Sequence, residues 1–189
     1  MQGRGRRLPG YASYIAFSNT DKKGEERQKV VRFAARWQLA RAFDRIVVDG
    51  DRDRRTTLGY SALLRLALAF SVVDQFEAAC GVDTLRRMRD RALADELRAV
   101  LEMHAVIGNE RTSGMKSRGR FADIDTTDDI RVFAYALRNM FVHGSGTPWG
   151  VGANRKRALR ALDRLSEVLL GEVEREFEAW AAIRVRAPQ

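Results

Sequence analysis

The chain has 189 residues, enough for one domain with a sizeable core. Apolar residues make up 45% and proline only 3 positions, which argues against a largely disordered chain and permits long uninterrupted helices. Lys and Arg number 34 against 25 Asp and Glu, and the resulting +9 charge attracts polyanions, nucleic acid first among them, although a solvated Arg-rich surface reads the same way.

In chain order, residues 1–23 read as a basic N-terminal arm, 24–183 as one helical domain and 184–189 as a tail. Within the arm, Tyr11 to Phe17 reads as a short extended segment laid on the body. The basic opening MQGRGRRLPG is followed by no apolar signal core, so a cytoplasmic protein is expected. The single Cys80 lies in an apolar run and is expected to be a buried, reduced thiol.

From Glu25 to about Asp49 the apolar positions Val30, Phe33, Ala34, Trp37, Ala40, Phe43 and Val47 recur at steps of three and four, the stripe of an amphipathic helix. A second helix, about Leu58 to Cys80, is apolar on nearly every side and is therefore expected at the centre. Arg65, Asp74 and Glu77 interrupt it, which favours a buried helix over a membrane span. Asp83 or Thr84 can cap a third helix that carries Leu85, Met88, Leu97, Val100 and Leu101 and runs to about Val106.

A long loop, Ile107 to Asp125, follows with Arg111, Lys116, Arg118 and Arg120. Thr126 and Asp129 resemble a capping box for a fourth helix with Ile130, Phe133, Ala134, Leu137, Met140 and Phe141 as its core stripe, stopped by Gly144. A fifth helix is expected from about Ala153 to Ala182, with Leu162, Leu165, Leu169, Val173, Phe177 and Trp180 inward. The predicted fold is all-α, an up-and-down four-helix bundle with one additional helix and a basic N-terminal arm.

The chemistry concentrates in RNMFVHG, Arg138 to Gly144. On a continuous helix Asn139 and His143 share a face, with Val132, Ala136 and Tyr135 beside them as a small apolar strip that a partner surface could cover. Arg138 falls about 140° from His143, so their heads meet on one phosphate only if the arginine bends round or the last turn unwinds. Arginine can grip phosphate oxygens and stabilise added charge while histidine shuttles a proton, the two roles needed for attack of a ribose 2′-hydroxyl on its adjacent phosphate without a metal. An acid and a base are both required and each chain offers one suitable His, so two copies across a two-fold axis would complete the set. The plainer alternative is that Asn139 and His143 satisfy helix-end carbonyls and Arg138 is a surface cation.

These residues resemble the HEPN superfamily, helical proteins whose ribonuclease members carry an R-x4-6-H motif, very often with Asn directly after the Arg, as Arg138, Asn139 and His143 stand here. The resemblance covers about Glu25 to Trp180 as architecture and six residues as sequence. It implies a homodimer with a composite site that cleaves RNA without a metal, Arg138 on the scissile phosphate, His143 as acid/base and Asn139 orienting them. It also implies a place in microbial stress or defence. Alternatives of other kinds are a catalytically silent RNA- or protein-binding module and one subunit of a toxin–antitoxin-like pair. Ser145 stands where toxin members paired with a nucleotidyltransferase antitoxin often carry Tyr.

Asp74 is a carboxylate in an apolar helix and needs a cation, either Arg138 beside the motif or another arginine of the bundle. Lys116, Arg118 and Arg120 on one side, and Arg155, Lys156, Arg157 and Arg160 on the other, could hold an RNA backbone or simply be solvated. Trp149 could stack on a base or pin its own loop, and its Pro and Gly neighbours favour the pin. His104 lacks companions at ligand spacing and reads as structural, and no motif for a metal, a nucleotide or another cofactor is present.

Overall fold

A computed structural model describes residues 7–20, 24–47, 54–82, 90–101, 130–144, 147–150, 152–153 and 155–186, the side chains of Thr20, Arg131 and Val132 apart. The described residues form helices and connecting turns, with no strand among them: α1 (Tyr11–Thr20), α2 (Gly24–Ala42), α3 (Arg54–Cys80), α4 (Arg91–Val100), α5 (Ile130–Val142) and α6 (Lys156–Arg186). The all-α class expected from the sequence is therefore observed.

The central position of α3 follows from its composition. It packs against α2, α5 and α6, and Leu63, Leu66, Ala69, Phe70, Val72, Val73 and Phe76 are buried along its length. By length and composition α3 could cross a membrane, and half of its most apolar window is buried within the fold. Phe76 meets Phe177 at 6.5 Å and Arg65 meets Asp163 at 3.0 Å, so α3 and α6 run in the same direction. Tyr60 faces Phe141 and Phe70 faces Tyr135, which makes α5 antiparallel to α3. Consequently the C-terminal ends of α2 and α5 and the N-terminal ends of α3 and α6 gather at one end of the molecule.

The segment Tyr11 to Phe17, expected to be extended, is helical instead. Tertiary contacts decide this: Tyr14 is fully buried, its ring lies tilted 5.1 Å from that of Trp180, and its hydroxyl donates to Glu26 at 3.0 Å. A short segment with weak patterning takes the conformation that its docking site rewards.

The first long helix also ends earlier than its apolar stripe predicts. It stops at Ala42, and Val47 is 86% exposed. The reason is a side-chain cap from another helix. Arg65 donates to the carbonyls of Phe43 (3.1 Å) and Asp44 (3.2 Å), while Ser61 accepts from the backbone N–H of Ile46 at 3.2 Å. Helix-end groups satisfied in this way need no further turn of α2.

The described part of α4 begins after Asp90, whose carboxylate accepts from the backbone of Leu93 at 2.9 Å, and ends at Val100 with Leu101 as its C-cap. The predicted caps Asp83, Thr84, Thr126 and Asp129 lie outside the described residues, as do Leu85, Met88, His104, Arg111, Lys116, Arg118 and Arg120. The inward residues expected of α6, from Leu162 to Trp180, are buried.

A polar knot crosses this core. Glu174, buried on α6, accepts from Trp37 Nε1 at 3.2 Å and Arg41 Nε at 2.7 Å, and Arg41 also pairs with Glu167. Charge complementarity and hydrogen bonding offset the cost of removing both charges from water.

Candidate functional site

The helix α5 that carries the motif is fixed by Ile130, Phe133, Ala134, Leu137 and Met140 in the core. Its register turns Tyr135 and Arg138 toward α3. The ring of Tyr135 lies edge-on to Phe70 at 5.7 Å, and the Arg138 guanidinium stands 5.9 Å over that same ring. Arg138 Nη2 lies 3.9 Å from Asp74 Oδ2, and its Nη1 donates to Asn139 Oδ1 at 2.7 Å. The motif arginine, one of the partners open to Asp74, is thus observed beside it.

Ala136, expected in an apolar strip open to a partner, is 2% exposed and belongs to the core. The side of α5 expected to be unpartnered is taken up partly by this protomer's own core. At the last turn it is Val142, 54% exposed, and His143 that face solvent.

The helix does not unwind before the histidine. The backbone N–H of His143 donates to the Asn139 carbonyl at 2.9 Å, a regular helical bond, and the break follows at Gly144 with φ of 67° and a bond from its N–H to the Phe141 carbonyl at 3.1 Å. This left-handed conformation is one that glycine adopts without steric cost. Arg138 and His143 are about 7.5 Å apart along the helix axis. Since Asp74 follows Phe70 on α3, the arginine head is drawn away from the end where His143 stands. Arg138, Asn139 and Asp74 are therefore brought together, and His143 is presented to solvent beyond them.

His143 shares its end of the molecule with the start of α3 and the start of α6. Arg155, Lys156 and Arg157 are exposed there, as expected for a basic flank. Sequence reasoning did not single out Arg45 and Arg54, and it took Arg65 only as an interruption of the apolar helix. They line two adjoining cavities of about 230 and 260 Å³ that share Arg45, Leu58 and Ser61. Arg65 is held by Asp163 at 3.0 Å and by the α2 carbonyls, so its role there is structural.

Trp149 pins its loop, as its neighbours suggested: the indole Nε1–H donates to Thr56 Oγ1 at 2.8 Å. Beside it Pro148 is buried against Gly59, which has no Cβ to keep it away. Among the described residues no group of three or more His, Cys, Asp or Glu could hold a metal ion.

Burial, with a smaller contribution from Glu26, pushes the Cys80 thiol up to about 12, and burial with the Glu26 hydrogen bond raises Tyr14 far above its ordinary range. Both groups lie away from the motif. Comparison with family models, with curated proteins and with solved structures finds no match to this chain, so its function is argued from its own residues.

Proposed function

We propose that the chain is a metal-independent endoribonuclease of HEPN type, a cytoplasmic protein whose site is completed by a second copy. The observation that carries this reading is the arrangement on α5: Arg138 is held by Asp74 and Asn139, and an exposed His143 follows just beyond at a basic end. A motif arginine oriented by a carboxylate and an amide is prepared for a phosphate, and a solvent-facing imidazole is free to exchange a proton.

In the reaction, the 2′-hydroxyl oxygen attacks the adjacent phosphorus and the bond from phosphorus to the 5′-oxygen breaks. Arg138 exchanges part of its contact with Asp74 for a non-bridging phosphate oxygen and stabilises the added charge. One His143 removes the 2′-hydroxyl proton and the His143 of a second copy protonates the 5′-oxygen. The products are a 2′,3′-cyclic phosphate and a 5′-hydroxyl.

Replacing His143 by Ala should abolish cleavage of single-stranded RNA, with the circular dichroism spectrum and the lack of sensitivity to EDTA unchanged. Equal cleavage by a clean preparation of that variant rejects the reading. One observation favours a second reading, an RNA-binding module without cleavage: the Arg138 head is turned toward Asp74 and not toward His143. Its signature is salt-sensitive RNA binding with no product at any protein concentration.

A further inference from the structure

Trp149 is 60% exposed, although its indole N–H is already satisfied by Thr56. An exposed tryptophan commonly leaves both its ring and its N–H to solvent. Here the edge of the ring is tied to α3 while a large part of its surface stays open. The loop beneath is firm: Thr147 Oγ1 accepts from the Gly150 N–H at 3.1 Å, the Trp149 carbonyl accepts from the Gly152 N–H at 3.1 Å, and Pro148 rests on Gly59. The entropy of fixing the indole is thus lost on folding and need not be lost again on binding.

The charge around this ring selects its ligand. From Ile130 to Leu162 the sequence holds no Asp or Glu, against six Lys or Arg. Arg155, Lys156 and Arg157 follow Trp149 at the head of α6, Arg54 and Arg55 precede Thr56 at the head of α3, and all five are exposed. Among the described acids of this end, Asp163 pairs with Arg65 at 3.0 Å and Asp44 lies 3.8 Å from Arg45. A flat aromatic surface among cations matches the two halves of a nucleotide, base and phosphate.

We infer that Trp149 is a fixed stacking platform for one base of a single-stranded RNA whose backbone runs over the Arg54–Arg55 and Arg155–Arg157 cations. The platform uses none of the motif residues and binds whether or not the bound strand is cut. It also joins the two roles considered for this tryptophan, because the pin is what holds the ring ready for the base.

The three tryptophans make the test direct. Trp37 and Trp180 are buried at 0% and 9% exposure, so quenching of intrinsic fluorescence by a ligand reports Trp149. The probe is a 2′-O-methyl oligoribonucleotide of about ten mixed bases, which lacks the attacking hydroxyl and stays intact. The full chain should show saturable quenching, and Trp149→Ala should bind about tenfold more weakly with its thermal transition preserved.

Thr56→Val, which removes the acceptor and leaves the ring, should lower the fluorescence anisotropy of Trp149 and weaken binding by a smaller factor. Unchanged emission at saturation, equal affinity of Trp149→Ala, or equal quenching by a polyglutamate peptide of the same charge overturns the proposal. A protein that is quenched by the probe but never cuts RNA sinks the nuclease reading alone.

Discussion

Pro148 lies so close to Gly59 that a Cβ at position 59 would stand 2.5 Å from the proline Cβ. This contact couples the central helix to the loop that follows the motif. A glycine inside a helix costs about 1 kcal/mol relative to alanine, so its presence in α3 has a steric reason. Gly59→Ala should push the 147–150 loop away, lower the thermal midpoint despite the better helix propensity, and raise acrylamide quenching of Trp149. A variant as stable as the parent with unchanged quenching would show that the loop is not seated on α3.

Asp74 and Arg138 form a second such relationship, at the motif. Both side chains keep solvent contact, at 42% and 29% exposure, so the pair contributes below about 1 kcal/mol to stability. Asp74→Asn should therefore leave the thermal transition nearly unchanged while lowering RNA cleavage by about tenfold, since a 1.4 kcal/mol loss of arginine positioning corresponds to that factor. Equal cleavage rates would remove Asp74 from the site.

The basic end makes a quantitative prediction for salt. Each cation engaged on a single strand contributes about 0.7 to the slope of log K against log salt concentration. Replacing Lys156 and Arg157 together by Ala should lower the slope by about 1.4 for the uncleavable oligonucleotide, measured by titration at several salt concentrations. An unchanged slope would place the strand elsewhere.

Arg41 and Glu174 pair largely out of solvent, at 12% and 7% side-chain exposure. Arg41→Ala removes the guanidinium from which the buried Glu174 carboxylate accepts and should destabilise the fold by about 3 to 5 kcal/mol, measured by urea denaturation. A loss below about 1 kcal/mol would mean that water reaches the carboxylate.

Tyr14 and Cys80 give the fold a defined response to alkali. Both have raised folded-state values, so the stability they contribute is complete below their ordinary values of 10.0 and 9.0 and is lost as pH rises above them. Thermal midpoints should fall from about pH 9 upward, and Tyr14→Phe with Cys80→Ala should flatten that fall. At neutral pH the Cys80 thiol should react with a thiol reagent only after unfolding.

Residue spacing alone determined a good part of this molecule. Apolar stripes at steps of three and four placed the cores of α2, α5 and α6, because the helical period decides which residues can share a face. The all-round apolar character of α3 required a central position, and Gly144 marked the end of α5, where φ of 67° suits glycine. The motif residues Arg138, Asn139 and His143 could be named from sequence because their order within one helix is local information.

What only the tertiary structure decided were matters of long-range contact. The stop of α2 at Ala42 depends on Arg65, which is distant in sequence, and the helical form of Tyr11–Thr20 depends on Trp180. The direction of the Arg138 head is set by Asp74 and Phe70, since a helix fixes where a side chain starts and neighbouring helices fix where its end can go. The burial of Ala136 was hidden for the same reason. A helical wheel ranks faces relative to one stripe, and how many neighbours surround the helix is settled only when the others pack.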